Sequence, residues 1–146
     1  MTPSARTAST RGLFAAAALA VLAAGCGSSA TPRPRGEAET VVVSFYEALV
    51  RRDWAAAHAL LHAGSRANCP LEPFTSLAGA YRRRLGFEPQ EVRVRSCEEH
   101  EEDAVAHVLL VGRQDGHEKT HRDAITLRRD GSGWGIVLPA RFGRPH

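Results

Sequence analysis

Apolar residues in the first half of the chain recur at helical spacing. In residues 37–52, Val42, Phe45, Tyr46 and Leu49 follow an i, i+3, i+4, i+7 pattern, which gives a helix one apolar face. Acidic residues at the start of this segment and arginines at its end suit the helix dipole. The same period predicts two more helices, over residues 54–62 and 73–85, with a loop from 64 to 70 between them.

Beyond residue 90 the period of the apolar positions falls to two, which is typical of strands. Asp115-Gly116 and the run from Asp130 to Gly133 are glycine-containing hairpin signals between such segments. The predicted strands cover residues 91–97, 104–112, 121–128 and 134–138. Turns centred on these signals set three cross-strand pairs: Ala106 with Ile125, Val108 with Asp123, and Leu127 with Ile136.

Helices followed by an antiparallel meander predict an α+β domain, with N-terminal helices packed on a curved four-stranded antiparallel sheet. At this level the sequence resembles the nuclear transport factor two-like superfamily, through residues 45–49 (FYEAL), 52–57 (RDWAAA) and 130–137 (DGSGWGIV). The resemblance implies a cone with an apolar pocket. Members of the superfamily include dehydratases, isomerases and cyclases, and also many non-catalytic binding domains.

The N-terminal segment has the features of an export signal. Arg6 and Arg11 precede an uncharged stretch over residues 12–25, which is shorter than the roughly 20 residues that span a bilayer. Residues 22–26 (LAAGC) resemble the lipobox of bacterial lipoproteins, although Ala23 stands where that family usually has leucine. The resemblance implies lipidation of Cys26 and an anchor on the extracytoplasmic face of the cell membrane. The alternatives are ordinary cleavage, which releases a soluble protein, and an uncleaved anchor.

The predicted organisation has three parts. Residues 1–25 form the signal peptide, and residues 26–36 hold the lipidated cysteine and a flexible Gly/Ser/Pro tether. Residues 37–146 form a single α+β domain. The signal peptide carries two of the 19 basic residues and none of the 16 acidic ones, so the rest of the chain is nearly neutral. This balance argues against a nucleic-acid partner.

If Cys26 carries lipid, Cys69 and Cys97 remain in an exported domain. An oxidising compartment favours a disulfide between them, with two buried thiols or an intermolecular bond as the alternatives. Neither cysteine belongs to a CxxC pair, so we predict no metal site here.

The strand register places Asp123 and His121 on the inward face of the sheet. A carboxylate inside an apolar cone can act as a general base, so Asp123 is the candidate for catalysis, with His121 beside it. The alternative is that both residues lie at a solvent-exposed strand end. Pocket lining is the hypothesis for Tyr46, Trp54, Tyr81, Asp123 and Trp134, while plain core packing is the alternative for the aromatic residues.

Other polar groups have simple interpretations. His58 and His62 are spaced for a shared metal on a helix, but they lack a third ligand, so a solvated helix edge is favoured. Residues 98–103 form an acidic turn, and residues 82–84 place three arginines at a helix end, where they suit the dipole or anionic lipid headgroups. No P-loop or GxGxxG motif is present, and we predict no cofactor.

These expectations favour a lipid-anchored, non-enzymatic domain that binds a small apolar ligand or an envelope protein. The alternative is an isomerase-, dehydratase- or cyclase-like enzyme that uses Asp123 as its general base, and a purely structural domain is a third possibility. A homodimer through the outer face of the sheet is permitted by Val105, Leu109 and Val111.

Overall fold

In the computed structural model, residues 35–144 are described and form four helices followed by four strands. The predicted signal peptide, Cys26 and most of the tether lie outside these residues. The helices are α1 (Glu37–Arg51), α2 (Trp54–Ala59), α3 (Ala63–Asn68) and α4 (Leu71–Arg84), and the strands are β1 (Glu88–His100), β2 (Asp103–Gln114), β3 (His117–Asp130) and β4 (Gly133–Val137). Within the described part of the chain, no helix is long and apolar enough to cross a membrane.

The strands form one antiparallel sheet in the order β1-β2-β3-β4, curved and unclosed. Helix α1 lies across this sheet and contacts β1, β2 and β4. Its buried face, which includes Val42, Phe45 and Leu49, meets the inward residues of β2 and β3 in one apolar core. The predicted α+β fold is confirmed.

The predicted register of the last three strands is confirmed. Ala106 pairs with Ile125, and Leu127 pairs with Ile136. The β2–β3 turn has φ values of 52° at Asp115 and 78° at Gly116. Positive φ at both central residues is the signature of the primed turn that matches the twist of a two-residue hairpin.

Strand β1 is longer than the sequence predicts. Two irregularities interrupt the alternation of its inward and outward residues, so the sequence pattern does not show its full length. Register shifts between Pro89 and Glu91 and between Val94 and Ser96 each insert a residue without a partner. Beyond the second shift, Cys97 pairs with the inward residue Ala106. A strict period of two therefore ends early in the sequence although the pairing continues.

Helix α3 occupies part of the predicted loop. The Nδ1 atom of His62 caps it by accepting a hydrogen bond from the Gly64 N–H. Just before it, the chain runs beside β4, where the His62 N–H donates to the Ile136 carbonyl at 2.8 Å. A β-carbon on Gly135 would lie 2.6 Å from the His62 Cα, so this approach requires glycine.

Arg82 joins the end of α1 to α4 and β1. Its side chain is only 6% exposed, and its Nη1 donates to the carbonyls of Leu49 and Val50 at 2.7 and 2.6 Å. Its Nη2 pairs with Glu88. The three arginines at residues 82–84 thus have different environments, and Arg82 stabilises the C-terminal end of α1 rather than only its own helix.

Replacing Arg82 by methionine should lower the free energy of unfolding by about 2–3 kcal/mol, because two helix-end carbonyls lose a charged donor. The measurement is urea denaturation followed by circular dichroism. Arg83→Met is the matched control, since Arg83 is exposed, and it should cost less than about 0.5 kcal/mol. Equal effects of the two substitutions would contradict this role of Arg82.

Candidate functional site

Asp123 lies on the inward face of β3, half-buried, and two tyrosines reach it. The hydroxyl of Tyr46 on α1 donates to Asp123 Oδ2 at 2.8 Å, and the hydroxyl of Tyr81 on α4 donates to the same oxygen at 2.7 Å. The other carboxylate oxygen, Oδ1, accepts from the Ala124 N–H at 2.9 Å. Each carboxylate oxygen therefore accepts at least one hydrogen bond from the protein.

The two phenols resist ionisation. Burial raises the pKa of Tyr46 well above its usual value, and the negative charge of Asp123 and the neighbouring Tyr81 raise it further. Burial is also the main cause of the raised pKa of Tyr81, with the Asp123 charge second. Both hydroxyls therefore keep their protons and act as hydrogen-bond donors.

Aromatic rings fill the cone beside this cluster. Phe142, in the segment after β4, stacks on Phe74 with ring centroids 5.9 Å apart and on Tyr81 at 5.0 Å. Phe45 lies 6.4 Å from Phe142 and 5.4 Å from Tyr46. All five rings are buried. They occupy the space that a ligand of the cone would need.

Phe142 reaches this position because the next residue is glycine. Gly143 has a φ of +68°, and a β-carbon there would lie 2.1 Å from the Leu77 carbonyl oxygen. The close approach holds the C-terminal segment against α4. Sequence reasoning missed Phe142, although it is the only aromatic residue after β4.

The other predicted pocket residues lie around the cluster or away from it. His121 is half-buried and meets Tyr81 edge-on, with centroids 6.4 Å apart. Trp134 packs at the edge of the core under the Arg129 guanidinium, 4.7 Å from its ring, and its indole N–H has no partner among residues 35–144. Trp54 lies in the wall of a surface cleft, with Arg52. The structure thus brings Tyr46, Tyr81 and Asp123 together and places both tryptophans elsewhere.

The structure does not contain the predicted Cys69–Cys97 disulfide: the two residues lie on different elements, and Cys69 is outside the sheet. Both are free thiols. Cys69 follows α3, which packs on β4, whereas Cys97 lies on β1. A disulfide needs α-carbons within about 7 Å. Burial raises the pKa of Cys97, and nearby Glu99 and Glu39 add to the effect.

The paired histidines have structural partners. The Nε2 of His58 lies 2.9 Å from the Cys69 carbonyl oxygen, and its ring packs on Phe74. His62 caps α3 and lies 3.6 Å from Asp130. In the described residues no group of three or more His, Cys, Asp or Glu side chains is arranged to hold a metal.

Two members of the acidic turn have structural partners: Asp103 pairs with Arg128 at 3.1 Å, and Glu99 contacts α1. Glu99 Oε1 accepts a hydrogen bond from the Ala38 N–H at 3.2 Å, in the first turn of α1. A carboxylate at this helix end is favourable to the dipole and occupies a donor that the helix leaves free.

The outer face of the sheet carries a shallow groove of about 350 Å³. Leu109 contributes to its floor, and Arg95, His107 and Arg122 line it. Neither arginine forms an ion pair within the described residues. Asp123 is the acidic residue in its lining, so two arginines against one carboxylate give the groove an excess of positive charge, with some apolar area.

Comparison with known proteins gives fold neighbours only. No family model matches the sequence, and no curated protein matches it. The chain is similar to a putative NTF2-like transpeptidase from Campylobacter jejuni (TM-score 0.55, 12% identity, 71% of this chain and all of that one). It is also similar to SEC-C motif-containing proteins from Rhodopseudomonas palustris (TM-score 0.54, 19% identity, 71% and 79% of the two chains) and Psychrobacter arcticus (TM-score 0.55, 10% identity, 75% and 64%). The domain therefore has an NTF2-like fold, and at these identities the likeness extends to the fold alone.

Stability should fall at high pH because of the two tyrosines. In the unfolded chain they ionise near pH 10, whereas in the folded protein their pKa is raised, so the unfolding free energy declines above about pH 10. The chain has only two tyrosines, so phenolate absorbance reports on them alone. Phenolate should form only as circular dichroism reports unfolding, and Tyr81→Phe should weaken the pH dependence. Phenolate formation near pH 10 in a folded protein would contradict the geometry.

Phe142→Ala should lower the unfolding free energy by about 3–5 kcal/mol, because it leaves a cavity between the rings of Phe74 and Tyr81. Urea denaturation measures the loss, and added benzene should restore part of it by filling the apolar cavity. Leu71→Ala is the matched control, since Leu71 is 45% exposed, and should cost less than about 0.5 kcal/mol. A Phe142→Ala protein as stable as the original would show that the ring does not close the cone.

Proposed function

We propose that this protein is a bacterial lipoprotein, anchored through Cys26 at the extracytoplasmic face of the cell membrane, whose NTF2-like domain is a non-catalytic binding module for an envelope protein. The observation that carries the non-catalytic assignment is the filled cone. Phe142 and its neighbouring rings occupy the interior, and both oxygens of Asp123 accept hydrogen bonds. A general base needs an oxygen within hydrogen-bond reach of a substrate proton, and the rings occupy the space that the substrate would need.

The anchor is supported by the sequence of residues 12–26, in which a short apolar segment ends in small residues and Cys26. Two acyl chains on one cysteine supply the stable attachment that one chain does not. A tether of about ten residues then holds the domain away from the lipid headgroups.

The filled interior favours a partner on the outside over a small apolar ligand within the cone. The outer face of the sheet offers exposed Val105, half-buried Leu109 and the two unpaired arginines of the groove, Arg95 and Arg122. Their charge suits a partner that presents an acidic segment, because charge complementarity aids both encounter and register.

The anchor is tested in the bacterium that carries this gene. The mature protein should fractionate with membranes, begin at Cys26 and carry the mass of a diacylglyceryl group. Cys26→Ser should lose the lipid mass, whereas Cys97→Ser, the control, should keep it. An unmodified chain that starts at Met1 in the soluble fraction would refute the anchor.

The partner surface is tested by native mass spectrometry of the protein purified in mild detergent. A complex with one envelope protein should survive purification, weaken at least tenfold in Arg122→Gln and persist in Arg128→Gln, a change at the far end of the same strand. Arg128 is the matched control because it is exposed and already paired with Asp103. A particle of two copies that Arg122→Gln dissociates would assign the face to self-association and overturn the proposal.

An isomerase-like enzyme that uses Asp123 is the second candidate, favoured by one observation. Two hydroxyls lie within 2.8 Å of a half-buried carboxylate. Hydrogen-bonded groups at this distance can pass a proton to or from a bound substrate. Such an enzyme would require Phe142 to leave the cone. Asp123→Asn separates the two functions: a binding module keeps its complex with the envelope partner, whereas an enzyme loses turnover.

A further inference from the structure

A cleft of about 540 Å³ lies apart from both the cone and the outer face of the sheet. It is bounded by the corner between α1 and α2, by the C-terminal half of α4 and by the start of β1. Its volume is within the range of sites that enclose small organic ligands.

Two half-buried aromatic side chains line this cleft. Trp54 is the first residue of α2, placed there because Asp53 caps the helix by accepting from the Ala56 N–H. Phe87 precedes β1, directly after Gly86, whose φ of +71° turns the chain at the end of α4. The two rings offer apolar area for a ring-shaped ligand.

The remaining walls of the cleft carry an excess of positive charge. Arg52, Arg82 and Arg83 line it, and Glu88 is the acidic residue among its lining side chains. The carboxylate of Glu88 is shared, since Arg52 Nη2 lies 3.3 Å from Oε1 and Arg82 pairs with the same oxygen. Arg83 forms no ion pair with any described residue. The lining therefore contains three guanidinium groups and one carboxylate.

One guanidinium of this wall is held in place before any ligand arrives. Arg82 is fixed by the carbonyls at the end of α1. Arg52 has a left-handed backbone, with a φ of 62°, and its N–H bonds to the carbonyls of Ala48 and Leu49 at the helix end. Arg82 therefore gives the wall a fixed cation, whereas the Arg52 side chain is 64% exposed and Arg83 is exposed.

We propose that the cleft binds a small organic anion that carries an aromatic ring and a carboxylate or phosphate group. The ring packs against Trp54 and Phe87, and the anionic group takes hydrogen bonds from Arg52 and Arg83. Guanidinium groups bind both anions with paired N–H donors. The excess positive charge opposes organic cations, and the aromatic walls favour a ring over a purely inorganic anion. This site is independent of the envelope-protein surface, so either proposal can fail alone.

The test uses the mature, detergent-solubilised protein and phenyl phosphate as the probe. The chain has two tryptophans, so in a Trp134→Phe variant the indole fluorescence comes from Trp54 alone. Phenyl phosphate should shift or quench this fluorescence with saturation, and equilibrium dialysis of the protein with both tryptophans should give the same dissociation constant. The dialysis keeps the test valid if Trp134→Phe folds poorly.

Arg83→Gln should weaken phenyl phosphate binding at least fivefold, because it removes the cation that has no internal partner. Arg141→Gln is the matched control, because Arg141 is exposed, forms no ion pair with a described residue and does not line the cleft, and it should leave binding unchanged. Benzyl alcohol and inorganic phosphate should each bind at least tenfold more weakly than phenyl phosphate.

Four results would overturn the proposal. Equal binding of benzyl alcohol would show a merely apolar cleft, and equal binding of inorganic phosphate would show a merely cationic one. Absence of saturable binding, or equal loss in Arg83→Gln and Arg141→Gln, would show that the cleft is not the site.

Discussion

Two phenol hydroxyls that share one carboxylate oxygen join the layers of this domain. Tyr46 belongs to α1, Tyr81 to α4 and Asp123 to β3, so the two hydrogen bonds connect both long helices to the middle of the sheet. A carboxylate on an inward sheet position is costly unless donors compensate for lost water. Here the donors arrive from the helices, so the helices must dock in one place for the carboxylate to be tolerated. The polar cluster therefore constrains the geometry of the surrounding apolar core.

That constraint also bears on function. The tyrosine hydroxyls that stabilise Asp123 also take up hydrogen-bonding sites on its carboxylate. The ring of Tyr81 is in addition one of the two rings on which Phe142 stacks. The cone is closed by the residues that make its polar centre stable. An enzyme on this fold would need the same carboxylate to be accessible, so stability and catalysis make opposite demands on Asp123. In the structure, Asp123 is held by hydrogen bonds from the protein, an arrangement that favours stability.

The sequence predicts well where a local signal fixes the geometry. The turn at Asp115-Gly116 requires positive φ, and it sets the register that turns Asp123 inward. The partners of Asp123 were not predictable as partners, because Tyr46 and Tyr81 lie 77 and 42 residues away and their helical spacing fits plain core packing equally well. Helix α3 has no buried residue, so no apolar period marks it. Phe142 lies in a short tail without any period, and only its tertiary contacts reveal its place.

The positive charge of the surface cleft depends partly on an arginine that stabilises the end of α1. The end of α1 leaves carbonyls without partners, and Arg82 satisfies two of them from the neighbouring helix. The same guanidinium, with Arg52 at the helix end, draws Glu88 into the wall of the cleft. The Glu88 side chain is 59% exposed, so solvent screens its negative charge. The Arg82 side chain is only 6% exposed and stays fixed in the wall of the cleft. The positive character of the cleft is thus tied to the stability of α1, and a substitution that neutralised Arg82 would weaken both. Arg83 is exposed and forms no ion pair with a described residue, so it is the position at which the charge of the cleft can change at little cost to the fold.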